Sequence, residues 1–347
     1  MSERRTTGDV SGAVPAEPTY VHGDSPAAGP ETTQQARRGR ARERRGGERR
    51  MVPKERPTSY YGRPVVKPPV WTWEIPIYFF AGGLGGASAT LAYAAERAGN
   101  RRLAHSAWMA ALAGISVSPV LLSSDLGRPM RFINMLRVFK VTSPMSVGSW
   151  LLTITGAVVA PAAGYRVVGW PRAGRAAQPI AAALGLPMAT YTAVLISNTS
   201  VPVWSEARWH LPLGFAASAA ASAGAAATML TPPRYAGPAR RLAIGGALIE
   251  SIGTQVMERR LGELGEPYRR GAAGKLAKAA IALAVGGGAL VALGARRSRA
   301  TVVAGCGMLL AGSLCERWSV FRAGFQSAED PKYTVGPQRE RIGGKQS

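Results

Sequence analysis

Cysteine and histidine are scarce in this chain. Two cysteines, Cys306 and Cys315, and three histidines, His22, His105 and His210, are all it has in 347 residues. An iron–sulfur cluster normally takes four thiolates, so none is expected within this chain. No CxxC occurs, which leaves a zinc site unsupported. Three histidines are too few for paired axial haem ligands, and two cysteines make no disulfide framework. Acids are scarce as well: 20 Asp and Glu stand against 43 Lys and Arg, a net charge of +23. Such a balance suggests nucleic acid at first sight, but no folded reading motif accompanies the charge, and no nucleic-acid partner is expected.

What the chain does have is long uncharged runs. Averages hide two unlike parts. Residues 1–70 are polar and carry an Arg-rich stretch from Arg37 to Arg50, with too little aliphatic content to offset the entropy of ordering. We read them as a disordered basic tail near anionic lipid headgroups. Beyond residue 70, a membrane-crossing helix needs about 20 mostly apolar residues, and eight stretches qualify. They are Ile75–Ala95, Leu103–Leu122, Ser146–Tyr165, Ile180–Ser197, Leu211–Leu230, Arg241–Met257, Leu276–Leu293 and Ala300–Cys315. The expected fold is therefore an all-α polytopic membrane protein with eight transmembrane helices and a short polar C-terminal tail, residues 331–347. The Gly-rich run Ala81 to Gly86 lies inside an uncharged span, not between a strand and a helix. It reads as a close helix contact through Gly82 and Gly86, and not as a phosphate cradle.

Lys and Arg are more numerous in the loops on the face that holds both termini. This places both ends in the cytoplasm, in a multi-pass protein of the cell membrane. The same face collects the unusual polar residues. Trp71 to Glu74 opens the first span, Ser124 to Pro129 closes the second, Thr142 to Ser146 opens the third, and Tyr191 followed by Asn198 to Trp204 closes the fourth. Four segments thus bring acid, base, hydroxyl, amide and indole groups to one interface, a mouth for a ligand with a polar head and an apolar tail. Glu250 is the one acid centred in a span, where a charge must be paired, neutral or wet.

These residues carry a resemblance. Trp73-Glu74-Ile75-Pro76-Ile77-Tyr78-Phe79-Phe80-Ala81-Gly82-Gly83, then Asp125-Leu126-Gly127-Arg128-Pro129-Met130-Arg131-Phe132, then Ser143-Pro144-Met145-Ser146-Val147-Gly148-Ser149-Trp150 resembles the NrfD/PsrC family. That family comprises membrane subunits of polysulfide reductase-like molybdoenzymes. Tyr191 to Leu195 and Asn198 to Trp204 are similar to its fourth helix, and the likeness spans roughly residues 59–330. The resemblance implies two four-helix bundles, residues 71–205 on the quinone side and residues 206–330. It implies no haem, and a bound menaquinone or ubiquinone. A four-cluster ferredoxin-like iron–sulfur subunit would dock at the membrane face, with a molybdopterin catalytic subunit beyond it. Carried over residue by residue, the quinone site falls on Trp73, Glu74, Asp125, Arg128, Tyr191 and Asn198. Some members carry an acid one turn after the helix-4 tyrosine, where this chain has Leu195. Proton handling then passes to Asp125, Glu250 or Glu74. A polytopic transporter or a non-redox membrane scaffold is the alternative reading.

Orientation is open to direct test. Reporter fusions at each terminus are expected to score as cytoplasmic, and activity of a periplasm-only reporter at either end would reverse the assignment.

Overall fold

Helix starts follow ordinary rules along the chain. Asn100 accepts the Leu103 N–H and Ser298 that of Ala300, satisfying first-turn donors that have no partner within the helix. Pro144 and Pro171 begin helices, where a missing N–H costs nothing. The computed structural model describes residues 64–126, 130–164, 171–294 and 298–343. All lie within one unit, Tyr60–Ser347. The expected tail up to residue 63, and Arg128, lie outside the described residues.

Eight long helices follow in order: α1 Glu74–Arg97, α2 Arg101–Asp125, α3 Pro144–Gly164, α4 Pro171–Ser197, α5 Leu211–Leu230, α6 Gly237–Arg260, α7 Gly271–Gly294 and α8 Arg299–Glu329. The polar C-terminal segment forms α9, Lys332–Gly343. Single-turn helices Arg131–Met135, Pro202–Glu206 and Glu266–Arg269 lie in the connections, and no strand occurs among the described residues. Six of the helices are long and apolar enough to cross a membrane: α1, α2, α3, α4, α5 and α7. The chain is thus a multi-pass membrane protein. The other two long helices, α6 and α8, carry Arg240, Arg241, Glu250 and Glu258, and Glu316, Arg317 and Arg322 respectively, and so fall short on apolarity.

Helix ends depart from the apolar runs in an instructive way. The fourth span was expected to start at Ile180, yet α4 starts at Pro171; the eighth was expected to end at Cys315, yet α8 continues to Glu329. Hydropathy marks where lipid-compatible side chains stop. The helix itself continues as long as its backbone bonds are satisfied and one face stays packed. In α8 the buried face runs on from Gly312 and Ser313 through Glu316, Ser319 and Val320 to Ala323, Gly324 and Ser327.

Packing runs in a closed sequence in each half of the chain. α1 meets α2 and α4, and α3 meets the same two; α5 meets α6 and α8, and α7 meets the same two. Contacts of α1 and α4 with α5, and of α1 with α8, join the halves. α1 is 67% buried over its apolar stretch against 28% for α7, so α1 is central and α7 peripheral. Between lipid-facing helices there is no water to expel, so association depends on close van der Waals fit. Glycine provides it. A Cβ on Gly185 of α4 would meet the Gly86 carbonyl of α1 at 2.3 Å, and one on Gly114 of α2 would meet the Ala81 carbonyl at 2.6 Å. Gly224 and Ala243 join α5 to α6 in the same way, and Gly287 and Gly305 join α7 to α8.

Two latches hold the connections. Trp71 stacks on Trp204 with centroids 5.8 Å apart, and the Trp204 indole N–H donates to the Val320 carbonyl of α8 at 2.8 Å. Glu266 accepts from Lys332 at 2.8 Å and from the Tyr333 hydroxyl at 3.2 Å, anchoring the start of α9. The Lys332 hydrogen bond, more than the ion pair with Arg270, holds the Glu266 carboxyl below its ordinary range.

Replacing Gly185 by Val is expected to destabilise the protein by roughly 1–3 kcal/mol, because backbone and not a flexible side chain stands in the way. Gly214→Val, where nothing lies within 4 Å, should leave the melting temperature in detergent unchanged.

Candidate functional site

Backbone that leaves a helix frees polar groups and places side chains at the membrane rim, so the ends of α1 to α4 are where a ligand can be both gripped and reached. The start of α1, the end of α2, the start of α3 and the end of α4 enclose a narrow cleft with about 470 Å³ of empty space including its mouth. Its walls are mainly apolar, with Ile75, Phe79, Leu122, Met145 and Leu195 prominent. Asp125, Ser149, Tyr78 and Tyr191 supply polar atoms.

Asp125 is fixed from α1. Its Oδ1 accepts the Thr72 backbone N–H at 3.1 Å and the Thr72 hydroxyl at 2.8 Å. The same hydroxyl also contacts Glu74 Oε2. A hydroxyl has one proton to give. Thr72 therefore serves Asp125 with its backbone N–H and has one hydroxyl proton to offer the two carboxyl groups. The arrangement ties the start of α1 to the end of α2. Tyr191, buried on α4, donates its hydroxyl to the Pro144 carbonyl at 2.7 Å. Its ring occupies the space that a side chain at position 148 would need, since a Cβ on Gly148 would fall 1.8 Å from the Tyr191 oxygen. Gly148 is therefore what allows the tyrosine to lie against α3.

Of the residues singled out in the sequence, Asp125 and Tyr191 meet in the cleft, and Glu74 joins them through Thr72. Trp73 points outward, 58% exposed, while Trp71 lines the cleft in its place. Asn198 is exposed and donates to the Val194 carbonyl of its own helix at 2.8 Å, outside the cleft lining. Leu195, where some relatives were expected to carry an acid, forms part of the apolar wall. Tyr78 on α1, and Trp71 just before it, line the cleft without having been singled out for it in the sequence.

Glu250 belongs to a second polar assembly, deep in the later half. It is 5% exposed on α6 and shares a small cavity with Glu316 of α8 and Tyr268. Glu316 is 7% exposed, and the adjacent Arg317, 1% exposed, lies 3.7 Å from it. Arg317 reaches out of α8 to α5, where its guanidinium lies 3.5 Å from the Phe215 ring centre and donates to the Phe215 carbonyl at 2.8 Å. The Ser218 side chain neighbours both carboxyl groups. Burial, and then the Glu316 and Glu258 carboxyls, push the Tyr268 phenol above its ordinary value, so it remains a neutral hydroxyl. Sequence reading found Glu250 and missed Glu316 and Arg317, because the eighth span was taken to stop one residue before them.

An aromatic column connects the two assemblies. Tyr78 at the cleft packs on Phe79 at 6.0 Å between ring centres, Phe79 on Phe215 at 6.1 Å, and Phe215 carries the Arg317 guanidinium.

The sequence model of the family described as polysulphide reductase, NrfD, matches residues 64–264. That stretch holds every element of the cleft and Glu250, and stops before Glu316. No curated protein matches the chain.

Removing the buried cation alone should be costly. Arg317→Gln leaves two carboxyl groups without their counter-charge and is expected to destabilise by about 3–5 kcal/mol. Pairing it with Glu316→Gln should restore part of that loss, as a double-mutant cycle on unfolding in detergent would measure. Equal effects of Arg317→Gln with and without the second change would show that the two side chains are not coupled.

Proposed function

The chain belongs to the polysulphide reductase NrfD family and is a membrane subunit of a redox complex; from that premise we propose that it passes electrons between a four-cluster ferredoxin-like iron–sulfur subunit and a menaquinone or ubiquinone held in the cleft beside Asp125 and Tyr191. A molybdopterin catalytic subunit completes the proposed complex, beyond the iron–sulfur subunit.

The observation that carries the reading is the cleft itself: a mainly apolar slot that ends at an acid pair and a tyrosine, at the rim of the helices. Its residues fit a quinone ring. Ile75, Phe79, Leu122 and Leu195 would exclude water from the ring faces, and the Tyr191 hydroxyl, held by the Pro144 carbonyl, would orient an oxygen. A bound quinone would supply two-electron, two-proton chemistry. The protein's own task is the protons, and the Asp125 carboxyl, with Glu74 across Thr72, stands at the cleft to pass them. Beside the mouth, residues 130–145 expose Met130, Val138, Phe139 and Val141 among Arg131, Arg137 and Lys140. A mixed apolar and basic rim of this kind suits a docked acidic partner at short range from the cleft.

Topology enters the same proposal. α6 and α8, with 24 and 31 residues, are long enough to cross at about 1.5 Å per residue. Their charges are compatible with crossing because Glu250, Glu316 and Arg317 face one another inside the protein. Counting them gives eight crossings in two four-helix bundles, α1–α4 and α5–α8, with both termini cytoplasmic in the cell membrane. The closed packing sequence in each half supports that grouping. Glu250, with Glu316, is a second proton-exchanging point in this scheme, linked to the cleft by the aromatic column.

Lipid extraction of the purified full-length protein should release a quinone. In membranes, Asp125→Asn should lower donor-to-quinone electron transfer by about 10²–10⁴-fold while the quinone stays bound, since the acid and not the slot is lost. A wild-type extract free of quinone, or full transfer with Asp125→Asn, would overturn the assignment.

A further inference from the structure

At the other end of the later helices lies a cavity that the redox reading does not use. The end of α5, the start of α6, the end of α7 and the start of α8 surround it, with about 630 Å³ of empty space. Thr228 and Thr231 line it; both are buried, and neither hydroxyl has a hydrogen-bond partner. Buried polar atoms are nearly always partnered, so two orphaned hydroxyls on residues that line one cavity point to a missing ligand.

The charge of the lining says which kind. Arg240 and Arg299 both line it, and among the described residues no acid does. The Arg299 guanidinium is held in place by the carbonyls of Thr231, at 3.2 Å, and Met229, at 3.0 Å, which uses part of its donor set and fixes its plane. The half-buried Arg240 side chain has no hydrogen-bond or ion-pair partner among the described residues. The starts of α6 and α8 add the positive ends of two helix dipoles. The wall is also braced from α2. The Asn100 amide donates to the Tyr235 carbonyl at 2.9 Å, and the Ser106 hydroxyl to the Leu230 carbonyl at 3.0 Å. Donors without acceptors, two cations and a preformed apolar side made by Val302, Val303 and Pro233 describe a receptor for an anion attached to something greasy.

We propose that this cavity binds a phosphate group, with Arg240 and Arg299 as its charge partners and the Thr228 and Thr231 hydroxyls as its hydrogen-bond donors. Its place at the helix ends matches the headgroup level of a bilayer, where an anionic phospholipid presents that group; free inorganic phosphate presents the same chemistry. The site would lock the ends of α5, α6, α7 and α8 together, on the side away from the cleft, and it stands whether or not the cleft holds a quinone.

The test uses the full-length protein, delipidated in detergent and then given phosphatidylglycerol, phosphatidylcholine or sodium phosphate. Phosphatidylglycerol is expected to raise the melting temperature and to remain as an adduct in native mass spectra, while phosphatidylcholine does neither. Arg240→Gln should weaken the adduct about tenfold, the scale of one charge-assisted hydrogen bond. The exposed neighbour Arg241, changed to Gln, should leave it unaltered. Thr228→Val supplies an independent variant: it removes an unpartnered hydroxyl, so the delipidated protein should melt no lower, yet phosphatidylglycerol should bind less well. Protection by sodium phosphate equal to that by phosphatidylglycerol would support the site with free phosphate as its ligand, and protection by phosphatidylglycerol alone would support it with the lipid. Equal effects of the three additives, or an adduct unchanged in both Arg240→Gln and Thr228→Val, would overturn the proposal.

Discussion

A guanidinium that is 1% exposed among apolar helices has no water to turn to, and Arg317 is in that position. Everything it needs has to come from protein. Phe215 gives a ring face and a carbonyl, and Glu316 gives a counter-charge. Gly83 of α1 lies beside it, where a Cβ would stand at an ordinary contact distance of 3.6 Å. One side chain therefore ties α8 to α5 beside α1, where the contacts that join the two halves run. Lipid makes such a group far more directive than a solvated ion pair, because the alternative to its native partners is an unsolvated charge.

That constraint reaches the cleft through a row of tilted, packed rings. Phe215, pinned by Arg317, packs on Phe79, and Phe79 packs on Tyr78, which lines the cleft beside Tyr191. On the other side, Trp71 lines the cleft and stacks on Trp204, whose indole is bonded to α8. A Cβ on Gly324 would fall 2.0 Å from the Trp204 ring, so α8 is shaped to receive it. The walls of the slot in the first half thus rest at two points on the second half. This gives α5 to α8 a structural part in the cleft although they contribute none of its lining.

Much of this was legible in the sequence, for physical reasons that differ by residue. Uncharged runs are conspicuous because every backbone polar group in lipid must be satisfied within a helix, and so the apolar helices could be placed from composition. Gly82 and Gly86 read as a packing face, and a Cβ at either would indeed strike α4. Asp125 and Tyr191 were found because helix ends bring distant segments to one level. Asn198 shares that level but lies on the exposed side of its helix, a distinction that depends on a rotation no span boundary specifies. Trp73 and Trp71 are two residues apart, and which of them turns inward is set by Trp204, 131 positions beyond Trp73. Glu316 and Arg317 were lost for a different reason. A hydropathy boundary treats the first charged pair as the end of the membrane segment, whereas a pair of opposite charges braced by α5 can lie well inside.

The two polar assemblies also illustrate where function and structure divide in a helical membrane protein. Mid-helix backbone is fully bonded, so a charge placed there, such as Glu250, can be satisfied only by other side chains, and those partners immobilise it. Helix ends are different. The Thr72 N–H is available to Asp125 because it precedes the first turn of α1, and the Pro144 carbonyl is available to Tyr191 at the start of α3. Polar groups at the rim can therefore be held by backbone atoms. Leu195 fits this division: it gives the cleft an apolar wall one turn inside the rim, while Asp125 stands at the helix end.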